Sequence, residues 1–197
     1  MEKVLFLTNV IRRLAMMQET LGTLSGTPGA MAHPGECRWI TESTEWNAEW
    51  VRTLEDSGLV LVKWMGTGLD TPFLNKLLDA LQRRGLPYYI DAAGSDRPEL
   101  AQGLSDAQVR DIRQYFVHGG RDNYTLLWRY ADAFLDGQGD TVPKARPLVW
   151  YGIYHPDEAE PFATLEAYGK KHLRAGRPTL AILFYRDEWV WKDLAYQ

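Results

Sequence analysis

Residues 59–90 read LVLVKWMGTGLDTPFLNKLLDALQRRGLPYYI, and this stretch decides the fold class. Residues 59–64 (LVLVKW) form a nearly continuous apolar run, the pattern of a strand covered on both faces. Met65-Gly66-Thr67-Gly68 makes a turn. Asp70 or Thr71 can cap a helix whose first position is Pro72, where the missing N–H costs nothing. Phe73, Leu74, Leu77, Leu78 and Leu81 recur at helical spacing. Gly85 supplies the stop, and residues 86–90 (LPYYI) are the next strand. A strand, a helix and a second strand joined by short connections form a crossover unit, which requires a parallel sheet.

The pattern extends towards the N-terminus. Residues 3–7 (KVLFL) are a short strand. Ile11, Leu14, Ala15, Gln18 and Leu21 then form a helical stripe, with Arg12, Arg13 and Glu19 on the other side. Residues 22–35, rich in glycine and proline, read as a long loop, of the kind that in compact domains is usually functional. Residues 37–41 (CRWIT) are a second strand. Trp46, Trp50 and Leu54 stripe a helix that Gly58 terminates. The expected class is α/β, a flavodoxin-like or Rossmann-like parallel sheet with flanking helices.

Beyond Ile90 the pattern becomes helical. Ser105-Asp106-Ala107-Gln108 is a capping box, and Val109, Ile112, Phe116 and Val117 carry the apolar face that follows it. His118-Gly119-Gly120 interrupts this helix. Asp122 or Asn123 can cap the next, striped by Tyr124, Leu127, Trp128, Ala131 and Leu135, so the two helices form a hairpin. Residues 137–147 have the polar, Gly/Pro-rich composition of a linker. The expected organisation is a domain over 1–136, a linker over 137–147 and the incomplete start of a second α/β domain over 148–197. In that last part a strand near Trp150 leads to a His-Pro-Asp break, an amphipathic helix and an apolar run over 179–185.

Composition narrows the function classes. Of 197 residues, 45% are apolar and 24% charged, the balance of a globular protein. The net charge is −4, and lysine and arginine are scattered, so no electrostatic footprint for nucleic acid or an acidic membrane exists. No apolar run reaches the ~18 residues of a membrane span, and the N-terminus lacks a signal-peptide pattern. The lone Cys37 forms neither an internal disulfide nor a thiolate cluster, which suits the cytoplasm. The 8 Trp and 10 Tyr point first to core and interface packing, and second to a flat ligand.

Three clusters are candidates for chemistry. Gly66-Thr67-Gly68 between strand and helix could cradle a phosphate, but it lacks the third glycine of the dinucleotide fingerprint and the Lys-Ser/Thr of a P-loop. A tight turn explains it better. Gly119, Gly120 and Asn123 could present backbone donors, or serve as a left-handed stop and a cap. Tyr154, His155, Asp157 and Glu158 group an imidazole with two carboxylates beyond a strand end, where ligands bind in open sheets. His155 with a carboxylate could touch a divalent metal; a His-Pro-Asp turn is the plainer account. His172, beside Leu165 and Tyr168, reads as a packed histidine with a wet edge, and His33 is uninformative. Arg186 at the end of the last strand could contact a ligand or open a helix. No nucleophile–base pair and no closed metal site is present, so no catalytic and no metal-ligating residues are expected.

Taken together, VLVKWMGTG, LPYYI, the hairpin LSDAQVRDIRQYFVHGGRDNYTLLWRYADAFL, YGIYHP and RPTLAILFYRDEW resemble successive blocks of the N-terminal region of the cobaltochelatase (CobN-type) and magnesium-chelatase large subunits. The YFxxGGxxN arrangement (Tyr115, Phe116, Gly119, Gly120, Asn123) and the block from Gly152 to Pro156 are the most specific parts. The resemblance implies a share in tetrapyrrole binding and ATP-dependent insertion of Co²⁺ or Mg²⁺, for the cobalamin or chlorophyll pathway. Implied partners are the remainder of the large subunit, an AAA+ ATPase subunit and its companion, with ATP and Mg²⁺ used by the full complex. The family's metal-insertion centre lies in later domains, so this chain alone is expected to bind no cofactor. A flavodoxin-like module for a flavin or nucleotide and a pure ATPase-docking protein are the competing readings.

Overall fold

The computed structural model describes residues 2–25, 30–66, 68–93, 99–147, 152–153, 155, 158 and 161–174. The chain divides into two compact units, Met1–Arg146 and Pro147–Gln197, and each is treated by itself.

Unit 1 runs β1 (Lys3–Thr8), α1 (Ile11–Ser25), β2 (Gly35–Trp39), α2 (Ala48–Glu55), β3 (Ser57–Met65), α3 (Pro72–Arg84), β4 (Tyr88–Ala93), β5 (Glu99–Gln102), α4 (Asp106–His118) and α5 (Gly120–Leu135), then a single 3-10 turn at Gly139–Thr141. The sheet order is β2-β1-β3-β4-β5. The first four strands are parallel, and β5 is antiparallel to β4. The mixed α/β class read from residues 59–90 holds, with one antiparallel strand added at the sheet edge. β5 is pinned through Glu99, whose carboxylate receives Arg113 of α4 and the Tyr89 hydroxyl at 3.0 Å.

Alternation along the strands separates two cores. Val4, Phe6, Leu59, Leu61 and Tyr89 meet α1, α4 and α5 on one face. Leu5, Leu7, Val60, Val62, Trp64 and Ile90 meet α2 and α3 on the other. The period-2 geometry of a strand requires this division when both faces are covered. On the first face Trp128 lies edge-on to Phe6 and donates its Nε1–H to the Met17 carbonyl at 3.0 Å.

Several local expectations hold. Thr71, not Asp70, caps α3, Pro72 opens it, and Gly85 ends it in the left-handed conformation at φ 64°. Ser105 and Gln108 form the reciprocal capping box. Others are corrected. Gly58 is the second residue of β3, and α2 starts after an Asn47 cap and ends at Glu55, which leaves Trp46 outside the helix. The buried face of α1 is Leu14, Met16, Met17, Thr20 and Leu24, whereas Ile11 is 63% exposed. Thr20 tolerates burial because its hydroxyl donates to the Met16 carbonyl at 2.9 Å. Neither Asp122 nor Asn123 caps α5, since Gly119 alone separates the two helices.

In unit 2 the described residues include a lone antiparallel bridge, Ile153 with Phe162, and α6 (Leu165–His172), capped by Thr164. The strand expected over 179–185 lies outside the described residues.

Candidate functional site

In an open parallel sheet, the crevice beyond the carboxyl ends of the strands, where strand order reverses, is the natural ligand position. Here the reversal falls between β1 and β3. Asn9, immediately after β1, bridges the two strands: its Nδ2 donates to the Met65 carbonyl at 2.6 Å and its Oδ1 accepts from the Met65 N–H at 2.8 Å. The Thr8 hydroxyl accepts from the Val10 N–H at 3.0 Å and turns the chain into α1. Gly66 and Gly68 adopt φ of 140° and 116°, which a side chain would resist. The Trp64 indole N–H ties the turn back through the Gly68 carbonyl at 3.0 Å. Thr67 is outside the described residues. These glycines therefore serve turn geometry, and the side-chain amide of Asn9 occupies the strand ends.

The same edge carries exposed apolar side chains. Trp39, in register with Thr8 at the end of β2, is 42% exposed, and Met65 at the end of β3 is 43% exposed. Ile11, which begins α1 two residues after Asn9, is exposed as well. Arg12 is exposed and has no ion-pair partner among the described residues, while Arg13 lies over the Tyr124 ring at 5.3 Å and donates to its hydroxyl.

The Gly119–Gly120 turn reaches this edge as well, because Arg13 packs against it. A Cβ added at Gly119 would stand 3.0 Å from Arg13 Nη1, and both glycines have positive φ. Asn123 is buried. Its Nδ2 donates to the Gly119 and Arg146 carbonyls at 2.7 and 2.9 Å, and its Oδ1 accepts from the Arg146 N–H at 2.7 Å. Asn123 thus fastens residues 137–146 to the helical hairpin, together with the Tyr115 hydroxyl on the Pro143 carbonyl at 2.7 Å.

In unit 2 the structure brings His155 and Glu158 together with His172. The two imidazoles stack with centroids 3.7 Å apart and planes 16° apart. His172 Nε2 meets Glu158 Oε1 at 2.8 Å, and Lys171 Nζ lies 2.5 Å from the same oxygen. Lys171, then His172, hold the Glu158 carboxyl below the usual range. Parallel stacking sets the imidazole nitrogens side by side instead of converging on a point, as metal ligation requires. Among the described residues no three His, Cys, Asp or Glu side chains are arranged to hold a metal. Tyr154, Asp157 and Arg186 lie outside the described residues. Burial, then the neighbouring Glu36 charge, pushes the Cys37 thiol up to about 12, which disfavours the thiolate.

Sequence reasoning missed Asn9 and the pairing of His172 with Glu158. An Asn directly following an apolar strand was the available signal for the first. The second joins residues 14 apart across a turn, and no helical or strand periodicity connects them.

Residues 113–197 match the family model "CobN/Magnesium Chelatase". The chain is 34% identical over 113 residues to the aerobic cobaltochelatase subunit CobN of Pseudomonas aeruginosa, covering 55% of this chain and 9% of that protein. The chain matches a CobN-type large-subunit region. Its fold is shared with the catalytic subunit of cobaltochelatase from Mycobacterium tuberculosis at a TM-score of 0.50 and 16% identity, over 78% of this chain and 12% of that one. The chain therefore spans about a tenth of the length of these relatives. Both the Gly119–Gly120–Asn123 turn and the His155–Glu158–His172 cluster fall inside the matched family segment. Among the described residues no helix is long and apolar enough to cross a membrane.

Proposed function

We propose that this chain is part of a chelatase large subunit, or a shortened relative of one, and that it contacts the tetrapyrrole during ATP-dependent insertion of Co²⁺ or Mg²⁺. The substrate metal must shed its water shell, reluctantly for Mg²⁺, and the ring must release two pyrrole protons. ATP hydrolysis by an AAA+ partner with its companion subunit would drive those steps. No residue of this chain is assigned to the metal-insertion chemistry.

One observation carries the reading: the exposed apolar rim of Ile11, Trp39 and Met65 at the carboxyl edge, with Arg12, exposed and without an ion-pair partner among the described residues, next to Ile11 in sequence. A macrocycle has flat apolar faces and a carboxylate-bearing periphery. An indole and a thioether suit the faces, and a guanidinium suits the carboxylates. The Asn9 bridge across the strand ends and the family matches favour this over a flavin or nucleotide module. Contact with the ATPase subunit is the other role the resemblance implies, and the exposed indole and thioether of the rim favour the ring.

Titration of the chain with a porphyrin or cobyrinic-acid-type ring tests the proposal. A Soret-band shift with tryptophan quenching is expected. Substituting Trp39→Ser together with Met65→Ser should weaken binding at least about tenfold, or about 1.4 kcal/mol. A flat titration, or an unchanged affinity in the double variant, would overturn it.

A further inference from the structure

A second surface lies on the opposite face of the sheet, between α2 and α3. Trp46 and Trp50 converge on Phe73 of α3, with ring centroids 5.9 and 4.8 Å away. Trp50 is buried there, while Trp46, which precedes the helix, remains half-buried at the surface. Beside Trp46 opens a groove of about 340 Å³ lined by Trp46, Val51, Ala80, Arg83 and Arg84. Its floor is apolar and every charged residue lining it is an arginine.

The state of those two arginines decides what the groove can accept. Arg84 Nη2 reaches Glu55 of α2 at 3.1 Å, with both side chains substantially exposed, so the pair is weak and exchangeable. Arg83 Nε donates only to the Asp79 carbonyl of its own helix at 3.1 Å, and its guanidinium has no carboxylate partner among the described residues. In a protein of net charge −4, the apolar slot is thus flanked by Arg83, free of a carboxylate partner among the described residues, and by the exchangeable Arg84–Glu55 pair. Tryptophan and arginine are the residue types most enriched among those that dominate protein–protein binding energy.

We propose that the α2–α3 groove docks an acidic amphipathic helix of another polypeptide. An apolar side chain of that helix enters over Trp46, Val51 and Ala80. Carboxylates three or four residues away, hence on the same helical face, pair with Arg83 and displace Glu55 from Arg84. The site is separate from the carboxyl rim, and the inference does not rest on the tetrapyrrole reading.

The test uses the full chain and a fluorescein-labelled amphipathic peptide of leucine and glutamate, with a leucine/lysine peptide of the same spacing as the control. Saturable anisotropy with the glutamate peptide alone is expected, weakening as salt is added. The exposed substitution Arg83→Glu should reduce affinity at least tenfold, and Val51→Glu should abolish binding, with melting temperatures compared to show that both variants fold. Arg83→Lys should retain most of the affinity of the wild type. Equal binding of both peptides, no binding of either, or indifference to Arg83→Glu and Val51→Glu would overturn the proposal. So would concentration-dependent self-association that Val51→Glu removes, which would assign the groove to a second copy, or porphyrin quenching that the same substitution removes.

Discussion

The two ends of the central sheet are built differently. At the amino end the Lys3 N–H donates to the Asp56 carbonyl at 2.8 Å and the Val4 N–H to the Pro34 carbonyl at 2.9 Å. Lys3 Nζ pairs with Glu36 at 2.5 Å. Asp132 near the end of α5 accepts the Ala32 and His33 N–H groups at 3.1 and 2.8 Å, while the His33 ring meets Asp136 at 3.1 Å. At the carboxyl end the ties run between neighbouring strands and turns: Asn9 joins β1 to β3, Lys63 Nζ pairs with Asp91 of β4 at 2.5 Å, and Trp64 holds Gly68, while Ile11, Trp39 and Met65 stay exposed. Polar groups at one end fasten loops to the sheet. The other end leaves apolar side chains exposed.

Changes to the fastenings at either end should cost stability and leave ring affinity alone, whereas changes to the exposed rim should do the reverse. The largest effect is expected for Asn123→Ala, which leaves the Arg146 N–H and two carbonyls without their partner; urea unfolding should show a loss of about 2–3 kcal/mol. Next is Gly35→Ala at the start of β2. Its Cβ would stand 2.6 Å from Leu21 Cδ1 and 3.0 Å from the Trp128 ring, and overpacking of this kind costs about 1–3 kcal/mol. Porphyrin affinity should not change in that variant.

The His33–Asp136 pair gives a smaller, pH-dependent term. The Asp136 hydrogen bond, outweighing desolvation, raises the imidazole above its ordinary 6.5. A raised folded-state value favours the protonated form in the native protein. The pair's contribution is therefore complete below about pH 6.5 and fades as pH rises through the higher folded value. Asp136→Asn should lower stability by up to about 1 kcal/mol at acidic pH and by little in alkaline solution, as urea midpoints across pH would show. Loss of equal size at both extremes would remove the imidazolium from the account. The smallest effect on stability is expected for Trp39→Ser with Met65→Ser, within about 0.5 kcal/mol for each exposed site, although ring binding falls. If thermal melting showed a large loss there, the contrast between the two ends would fail.

Much of the fold was legible because its signals are local. Pro72 with Thr71, Gly85, and the Ser105–Gln108 pair mark helix ends by backbone chemistry that operates within four residues. β5 was missed because Glu-Leu-Ala-Gln is short and polar, and it is held by Arg113 and Tyr89 from other elements. The face of α1 was misjudged because Ile11 looks like core from its side chain alone, yet it stands at the sheet's open edge. The glycine turn was located correctly, but Asn123 acts on residues 23 positions later, and no cap pattern reports a contact of that span. His155 and Glu158 were singled out as a group; their stacking and pairing with His172 depended on how the following helix folds back.

The burial of Trp128 against Met17, 111 residues apart, has a consequence for synthesis. Until α5 leaves the ribosome, Val4, Phe6 and Leu61 have no cover from it on their face of the nascent sheet. The opposite face can close earlier, once α2 and α3 are made. Vectorial assembly of this unit should therefore proceed one layer at a time, with an adhesive intermediate whose lifetime is set by how soon the hairpin arrives.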